Sequence, residues 1–380
     1  LHTAYRRQRQ MCIRDRFNSR AMTFKKKFDI IEQAFNRILE SSNELFCPPI
    51  KENVMLKLGV IGTSWIARSF IDAAHMTEKF QFSAVYSRRL ESADQFSADF
   101  KDIQKFDNLD DFFKASLDII YIASPNALHF EQAKAAILAG HNVIVEKPAF
   151  SNPKELTEII KLAKENEVFF FEAARNIHEH SFSIIKDFLV DKIVKGADFT
   201  YSKYSSKMPA LLNGEIPNKF NAKFSGGLLA DLGVYLLYAA IFWFGKPQKA
   251  TYDAVLLPSG VDLAGVGILD YQDYKVSIKC AGNVNSYLPS EIYTTDGTLI
   301  LDGVNAITSA KFITMDGSET RIDIEAPKHS LYDEAVDFAQ ILENNDFAAS
   351  YDLHQFAQEV SETSYQMRQS ADIVFDADNK

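Results

Sequence analysis

The feature that most constrains this chain is a single turn. Leu56-Lys57-Leu58-Gly59-Val60-Ile61 is a short apolar run that reads as a buried strand. It passes directly into Gly62-Thr63-Ser64-Trp65-Ile66-Ala67 and then into a helical segment ending near Met76. Strand, tight turn and helix in that order is the setting of the G-x-G-x-x-G/A dinucleotide fingerprint. Gly62 permits the turn, and Ala67 lets the helix approach the strand. The free N–H groups of the helix face a pyrophosphate, so Thr63, Ser64, Trp65 and Ile66 join Gly62 as candidate cofactor contacts. Ser64 stands where the fingerprint has its middle glycine, which puts a Cβ where backbone approaches phosphate.

Further β-α units follow. Residues 82–86 read as a strand ending at Ser87-Arg88-Arg89, where an NAD site usually carries Asp or Glu. A hydroxyl and two guanidinium groups suit a ribose 2′-phosphate, so the expected cofactor is NADP, with NAD as the alternative. Strand 117–123 stops at Ser124-Pro125-Asn126, helix 130–139 at Gly140, and strand 142–145 at Glu146-Lys147-Pro148. Helix 154–166 and strand 168–171 complete the series. Alternating apolar strands and helices imply an α/β fold, a doubly wound parallel sheet of Rossmann type. Such sheets bind ligands beyond the carboxyl ends of their strands, where Asn126, His129 and Lys147 fall.

The pattern changes near residue 195. Strands are expected over 197–204, 250–257, 263–271, 274–280, 291–295, 298–301, 310–315 and 320–324. Asp296-Gly297 and Asp316-Gly317 are hairpin turn signals. Helices are expected over 331–344 and 353–370. This is a C-terminal α+β domain with a large, mostly antiparallel sheet, so the expected boundaries are 55–173 for cofactor binding and 174–380 for substrate and oligomerisation. One apolar helix, 227–244, interrupts the strands. Its 17 residues after Gly227 contain Asp231. A bilayer span needs roughly 20 apolar residues, so a buried helix is the expected state. Asp231 and Tyr235 are four apart and share a helix face. If that face lines the cleft between domains, both meet Lys147.

Charge separates the chain into two parts. The first 54 residues hold 11 Lys/Arg and 6 Asp/Glu, a net of +5, so the total of −10 leaves −15 for the rest. So acidic a body argues against nucleic acid or an anionic membrane as partner. Cys12 and Cys47 lie in the basic leader, and Cys280 is alone in the body, which fits a reducing, cytoplasmic setting. Residues 1–54 are expected to be a non-native or disordered leader with room for a short helix over 28–40. The stretch from Tyr5 to Phe17 resembles translated sequencing-adapter sequence. No metal is expected, because His178 and His180 with Glu172 match no helical zinc spacing.

The ordered set Gly62-x-Ser64-x-x-Ala67, Ala123-Ser124-Pro125-Asn126-x-x-His129, Glu146-Lys147-Pro148 and Gly226-Gly227-x-x-x-Asp231-x-Gly233-x-Tyr235 resembles the Gfo/Idh/MocA oxidoreductases. The resemblance implies that Lys147 is the catalytic lysine and Asp231 the partnering aspartate. It places Tyr235 where many members have histidine and a subgroup has tyrosine. It sets Pro125, Asn126 and His129 in the loop beside the nicotinamide, and Ser124, Glu146 and Lys147 are further candidate cofactor contacts. Its implied activity is hydride transfer on a sugar, cyclic polyol or dihydrodiol-like compound, with homodimers or homotetramers formed through the C-terminal sheet.

A tyrosine near pKa 10 needs a nearby cation to act as a base at neutral pH. Tyr235 is therefore read as general acid/base, Lys147 as stabiliser and proton relay, and Asp231 as orienter. Lys147 as the proton carrier is the alternative. Arg175 and His178 follow the last parallel strand and are candidate substrate contacts. A non-catalytic NAD(P)-binding sensor on the same fold is the competing reading.

Overall fold

Six parallel strands form the first sheet in the computed structural model, which describes residues 55–379. The leader expected over 1–54, with its short helix, lies outside the described residues. Along the chain, β1 (Leu56–Ile61), α1 (Trp65–Met76), β2 (Phe80–Tyr86), α2 (Leu90–Phe96) and β3 (Gln104–Phe106) come first. They are followed by α3 (Leu109–Phe112), β4 (Ile119–Ile122), α4 (His129–Leu138), β5 (Asn142–Glu146), α5 (Pro153–Glu165) and β6 (Phe170–Ala173). The strand order is β3-β2-β1-β4-β5-β6. It reverses between β1 and β4, and that switch point opens the crevice in which such sheets hold ligands. All four residues of β4 are buried, as expected for a strand covered on both faces.

The sixth strand runs two residues later than the expected 168–171. Val168 N–H still bonds to Ala163 O and extends the end of α5, while Phe169 N–H is taken by Asn142 Oδ1. Pairing with β5 starts only at Phe170.

The second sheet has eight strands in the order β14-β13-β12-β11-β7-β10-β9-β8. The chain enters it through α6 (His180–Leu189), β7 (Val194–Ser202) and α7 (Met208–Leu212). It passes a π-helical turn (Leu229–Gly233) and α8 (Val234–Phe244). It then forms β8 (Lys249–Leu256), β9 (Asp262–Tyr271), β10 (Tyr274–Ala281), β11 (Ser290–Thr294), β12 (Gly297–Leu301), β13 (Ala310–Thr314) and β14 (Glu319–Ile322). Every pairing is antiparallel except β7 with β10. Both Asp-Gly pairs lie at hairpin connections, β11–β12 and β13–β14, where Gly317 has φ 88°.

The apolar segment 227–244 is not one continuous helix. It divides into the π turn and α8. Seven of the eleven residues of α8 are buried, in one core with Phe199, Val276 and Ile278 of the sheet. Ala222–Phe244 is apolar and long enough to cross a membrane, yet 72% of its 18-residue apolar window is buried within the fold.

Two closing helices follow, α9 (Tyr332–Glu343) and α10 (Phe347–Ser370). The last begins six residues before the expected 353, because Asp346 caps it by accepting the Ala349 N–H. Ala335, Phe338 and Ala339 of α9 pack with Ala67 and Phe70 of α1 in the core of the parallel sheet. The end of the chain thus returns to the cofactor-type fold.

Candidate active site

The fingerprint turn is built by backbone constraints. Gly62 has φ 110°, and an added Cβ would sit 2.7 Å from the Ala123 carbonyl oxygen. Only glycine fits, because β1 and β4 approach each other closely there. Ser64 fits the turn without being glycine. Its backbone is extended (φ −83°, ψ 168°), so it needs no glycine, and its hydroxyl accepts the Ala67 N–H as the N-cap of α1.

Gly62, Thr63, Ser64, Ser87, Arg88, Ser124 and Pro125 line one cleft of about 320 Å3. Trp65 is 79% exposed, so its side chain points to solvent and only its N–H belongs to the turn. Ile66 packs against the sheet core. Arg88 and Arg89 are exposed beyond β2. Free amides at a helix start and guanidinium groups beyond the second strand form a donor set that fits a phosphorylated dinucleotide.

Two predicted cofactor residues do structural work. His129 is fully buried, with Nδ1 3.1 Å from Ala149 O and Nε2 2.8 Å from Ser124 O. It ties the loop after β4 to the loop after β5. Asn126 donates to Ser225 O at 3.0 Å and ties the first of these loops to the glycine motif. Glu146 accepts from the Lys147 N–H at 3.1 Å and from the Tyr121 hydroxyl. Burial pushes its carboxyl up, against the opposing pull of Lys147.

Lys147, Asp231 and Tyr235 come together as expected. Lys147 stands just past β5, on a cis bond to Pro148. Its Nζ donates to the Asp231 carbonyl oxygen at 2.8 Å and lies 3.4 Å from Asp231 Oδ1. It also lies 4.6 Å from the centre of the Tyr235 ring. The wider π turn presents Asp231 to the lysine through its main chain as well as its carboxylate. Burial lowers the Lys147 ammonium, but Tyr235, Asp231 and Glu146 outweigh it and hold its pKa above the ordinary value. Burial likewise raises Asp231, but Lys147 and Lys219 outweigh it and hold the carboxylate below the usual range.

Arg175 joins the cluster, with its guanidinium carbon 5.4 Å from the Tyr235 ring centre. It pairs with buried Glu179 at 3.0 Å. Its pKa stays raised while that of Glu179 is pushed up to about 7. Burial dominates the carboxylate, and the arginine keeps its charge beside a second acid, Glu334. Asn176 donates to Tyr235 O at 3.3 Å and to Val304 O at 3.0 Å, anchoring α8 beneath the cluster. His178, expected at the substrate, is engaged by α9. Its Nδ1 meets Asp337 Oδ2 at 2.8 Å and its ring packs edge-on against Phe338. Both contacts are with α9.

Two residues here were not foreseen. Lys219 Nζ lies 2.5 Å from Asp231 Oδ2. Glu334, at the start of α9, is 1% exposed with neither carboxyl oxygen hydrogen-bonded. Burial, reinforced by Glu146, pushes its carboxyl well up.

A switch-point cleft with a fingerprint turn, and a lysine at the rim of its parallel sheet, define a dinucleotide-binding oxidoreductase. Residues 56–173 match the family described as "Oxidoreductase family, NAD-binding Rossmann fold", and residues 198–300 match the "GFO/IDH/MocA C-terminal domain". The chain belongs to the Gfo/Idh/MocA family.

It is 38% identical to the uncharacterized oxidoreductase YgjR of Escherichia coli, over 77% of this chain and 89% of the relative. It is 34% identical to the scyllo-inositol 2-dehydrogenase (NADP(+)) IolU of Bacillus subtilis, over 85% of this chain and 99% of that protein. Among solved structures, the 3-ketoreductase KijD10 of Actinomadura kijaniata, in complex with NADP and TDP-benzene, shares the fold. Its TM-score is 0.73 at 18% identity, over 84% of this chain and 99% of that one.

Proposed function

We propose that this oxidoreductase uses NADP(H) and acts on the carbinol or carbonyl carbon of a sugar, cyclic polyol or dihydrodiol-like substrate. The observation that carries the reading is the contact of Lys147 with both Asp231 and the Tyr235 ring at the rim of the parallel sheet. Relatives named as an NADP-linked inositol dehydrogenase and as dihydrodiol dehydrogenases support the substrate class. Arg88, in the cleft beyond β2, supports NADP over NAD.

When bound, a nicotinamide dinucleotide supplies the hydride acceptor or donor. Gly62 and the first-turn amides of α1 hold its pyrophosphate, and Ser87 with Arg88 holds the 2′-phosphate. The Tyr235 hydroxyl takes or returns the substrate hydroxyl proton. Lys147 and Arg175 stabilise the negative charge that develops on the phenol oxygen. Asp231 holds the lysine in place. Lys147, kept as an ammonium, is the alternative proton donor when a carbonyl is reduced.

Residues 55–173 are assigned to the cofactor and 174–380 to substrate and assembly. Exposed Val255, Val266 and Ile268 on β8 and β9 support a homo-oligomer formed through this sheet. The acidic body and the single cysteine support a cytoplasmic setting.

The test is a reduced-nicotinamide absorbance screen with NADP and NAD over sugars, inositols, dihydrodiols and their keto forms. NADP-linked turnover with the lower KM for NADP is expected. Tight NADP binding with no turnover anywhere in the panel would instead support the sensor reading.

A further inference from the structure

Asp231 is held by two ammonium groups, one on each carboxylate oxygen. Lys147 lies 3.4 Å from Oδ1, and Lys219 lies 2.5 Å from Oδ2, so Lys219 makes the tighter contact. Lys219 comes from a short 3-10 turn, Asn218–Phe220, with no regular element to fix it. It is fixed by the glycine pair instead. Gly227 N–H donates to the Lys219 carbonyl oxygen at 2.7 Å. An added Cβ on Gly226 would sit 2.4 Å from that same oxygen. Gly227 has φ 107°, and its own Cβ would collide with Asp262 Oδ1 at 2.3 Å. Asp262 in turn accepts the Leu229 N–H at 2.7 Å, at the start of the π turn. One compact backbone arrangement therefore sets both partners of the pair, Lys219 through its carbonyl and Asp231 through the π turn.

We propose that Lys219 is a positioning residue for hydride transfer: it holds Asp231 as an ionised bridge and leaves Lys147 free to serve the reacting oxygen. The inference rests on the functional reading above. Lys147 has three N–H donors. One bonds to the Asp231 carbonyl oxygen at 2.8 Å, and a second lies at the long distance of 3.4 Å from the carboxylate. Among the described residues, Asp231 without Lys219 has only Lys147 to pair with, and a closer pair there draws the ammonium away from Tyr235.

The charged and titratable groups facing Asp231 come from several elements. Among the described residues they are Lys147 after β5, Lys219, Tyr201 on β7 and Cys280 on β10, and Tyr235 on α8 meets Lys147 from the other side of the pair. Lys147 and Lys219 are the cations among them, and both favour the carboxylate.

The experiment titrates Asp231 directly, by carboxyl carbon NMR of aspartate-labelled full-length protein, with Asp231→Asn to assign the signal. In Lys219→Met its midpoint moves up by roughly one unit or more, as expected when an adjacent cation is lost. In Lys219→Arg it returns toward the wild-type value. The acid limb of the kcat profile moves up with it, and kcat drops by roughly tenfold or more as orientation of the proton carrier is lost. Gly226→Ala, which displaces the Lys219 carbonyl, gives the same two changes.

An unmoved Asp231 midpoint in Lys219→Met overturns the inference. So does a moved midpoint with an unchanged kcat profile. A wild-type protein with no turnover on any substrate overturns the functional reading instead, and the NMR titration still decides whether Lys219 sets the charge of Asp231.

Discussion

The Lys147 Nζ sits 4.6 Å above the Tyr235 ring, while Arg175 approaches the same ring at 5.4 Å. Two cations thus flank the partly buried Tyr235 ring. The ring contact and the hydroxyl chemistry are separable, because phenylalanine keeps the first and loses the second. Tyr235→Phe is therefore expected to leave Tm nearly unchanged and to lower kcat by roughly 10^2-fold or more. Parallel thermal melts and steady-state kinetics check this. A mutant with wild-type kcat shifts the proton-carrier role to Lys147.

Gly62→Ala tests the fingerprint turn. The substitution forces φ 110° on a residue with a side chain and drives a Cβ to 2.7 Å from Ala123 O. The backbone penalty alone is about 1–3 kcal/mol. A lower Tm and a dinucleotide Kd weakened by more than the stability loss explains are expected, measured by calorimetry and fluorescence titration. Retention of both would show that the turn is not set by this contact.

Glu179 gives a pH-dependent outcome whose sign is set by its burial. Its carboxyl is pushed up from 4.5 to about 7. The folded protein therefore binds that proton more tightly than the unfolded chain. The resulting stability is present below about pH 4.5 and is lost as pH rises through about 7. Glu179→Gln removes this component, so the mutant's Tm should fall less than that of the wild type between those two pH values. Parallel slopes across the window would contradict the assignment.

Arg88→Ala addresses the cofactor. If the guanidinium holds a 2′-phosphate, KM for NADP rises by roughly tenfold or more while KM for NAD changes little, because a charge-assisted contact is worth about 1.5–3 kcal/mol. Equal changes for both cofactors would place Arg88 outside the recognition of that phosphate.

Much of this architecture was legible because its signals are local. The β-α alternation and the hairpin Asp-Gly pairs sit in short stretches. Lys147, Asp231 and Tyr235 were legible as candidate site residues because they lie inside ordered motifs. Lys219 was not, since it precedes Gly226 by seven residues with no periodicity linking them, and only the folded backbone brings it to Asp231.

The π turn was hidden for a related reason. Leu229–Gly233 reads as continuous apolar helix, and its irregularity depends on long-range partners. Asp262 caps it, and a Cβ on Gly233 would meet Cys280 Sγ at 3.2 Å. The contact of His178 with Asp337 was hidden too, because proximity to β6 in sequence says nothing about ring direction, which α9 sets. Glu334 is likewise buried by helix packing that no nearby pattern announces. Ser64 looked like a defect in the fingerprint and is a helix cap.

The most direct test of the central claim is Lys147→Ala, assayed for kcat with the best substrate from the panel and for NADP binding in the same preparation. A fall in kcat of roughly 10^2–10^4-fold is expected, with the NADP Kd within a few-fold of wild type. A mutant that binds NADP and turns over at the wild-type rate would contradict it.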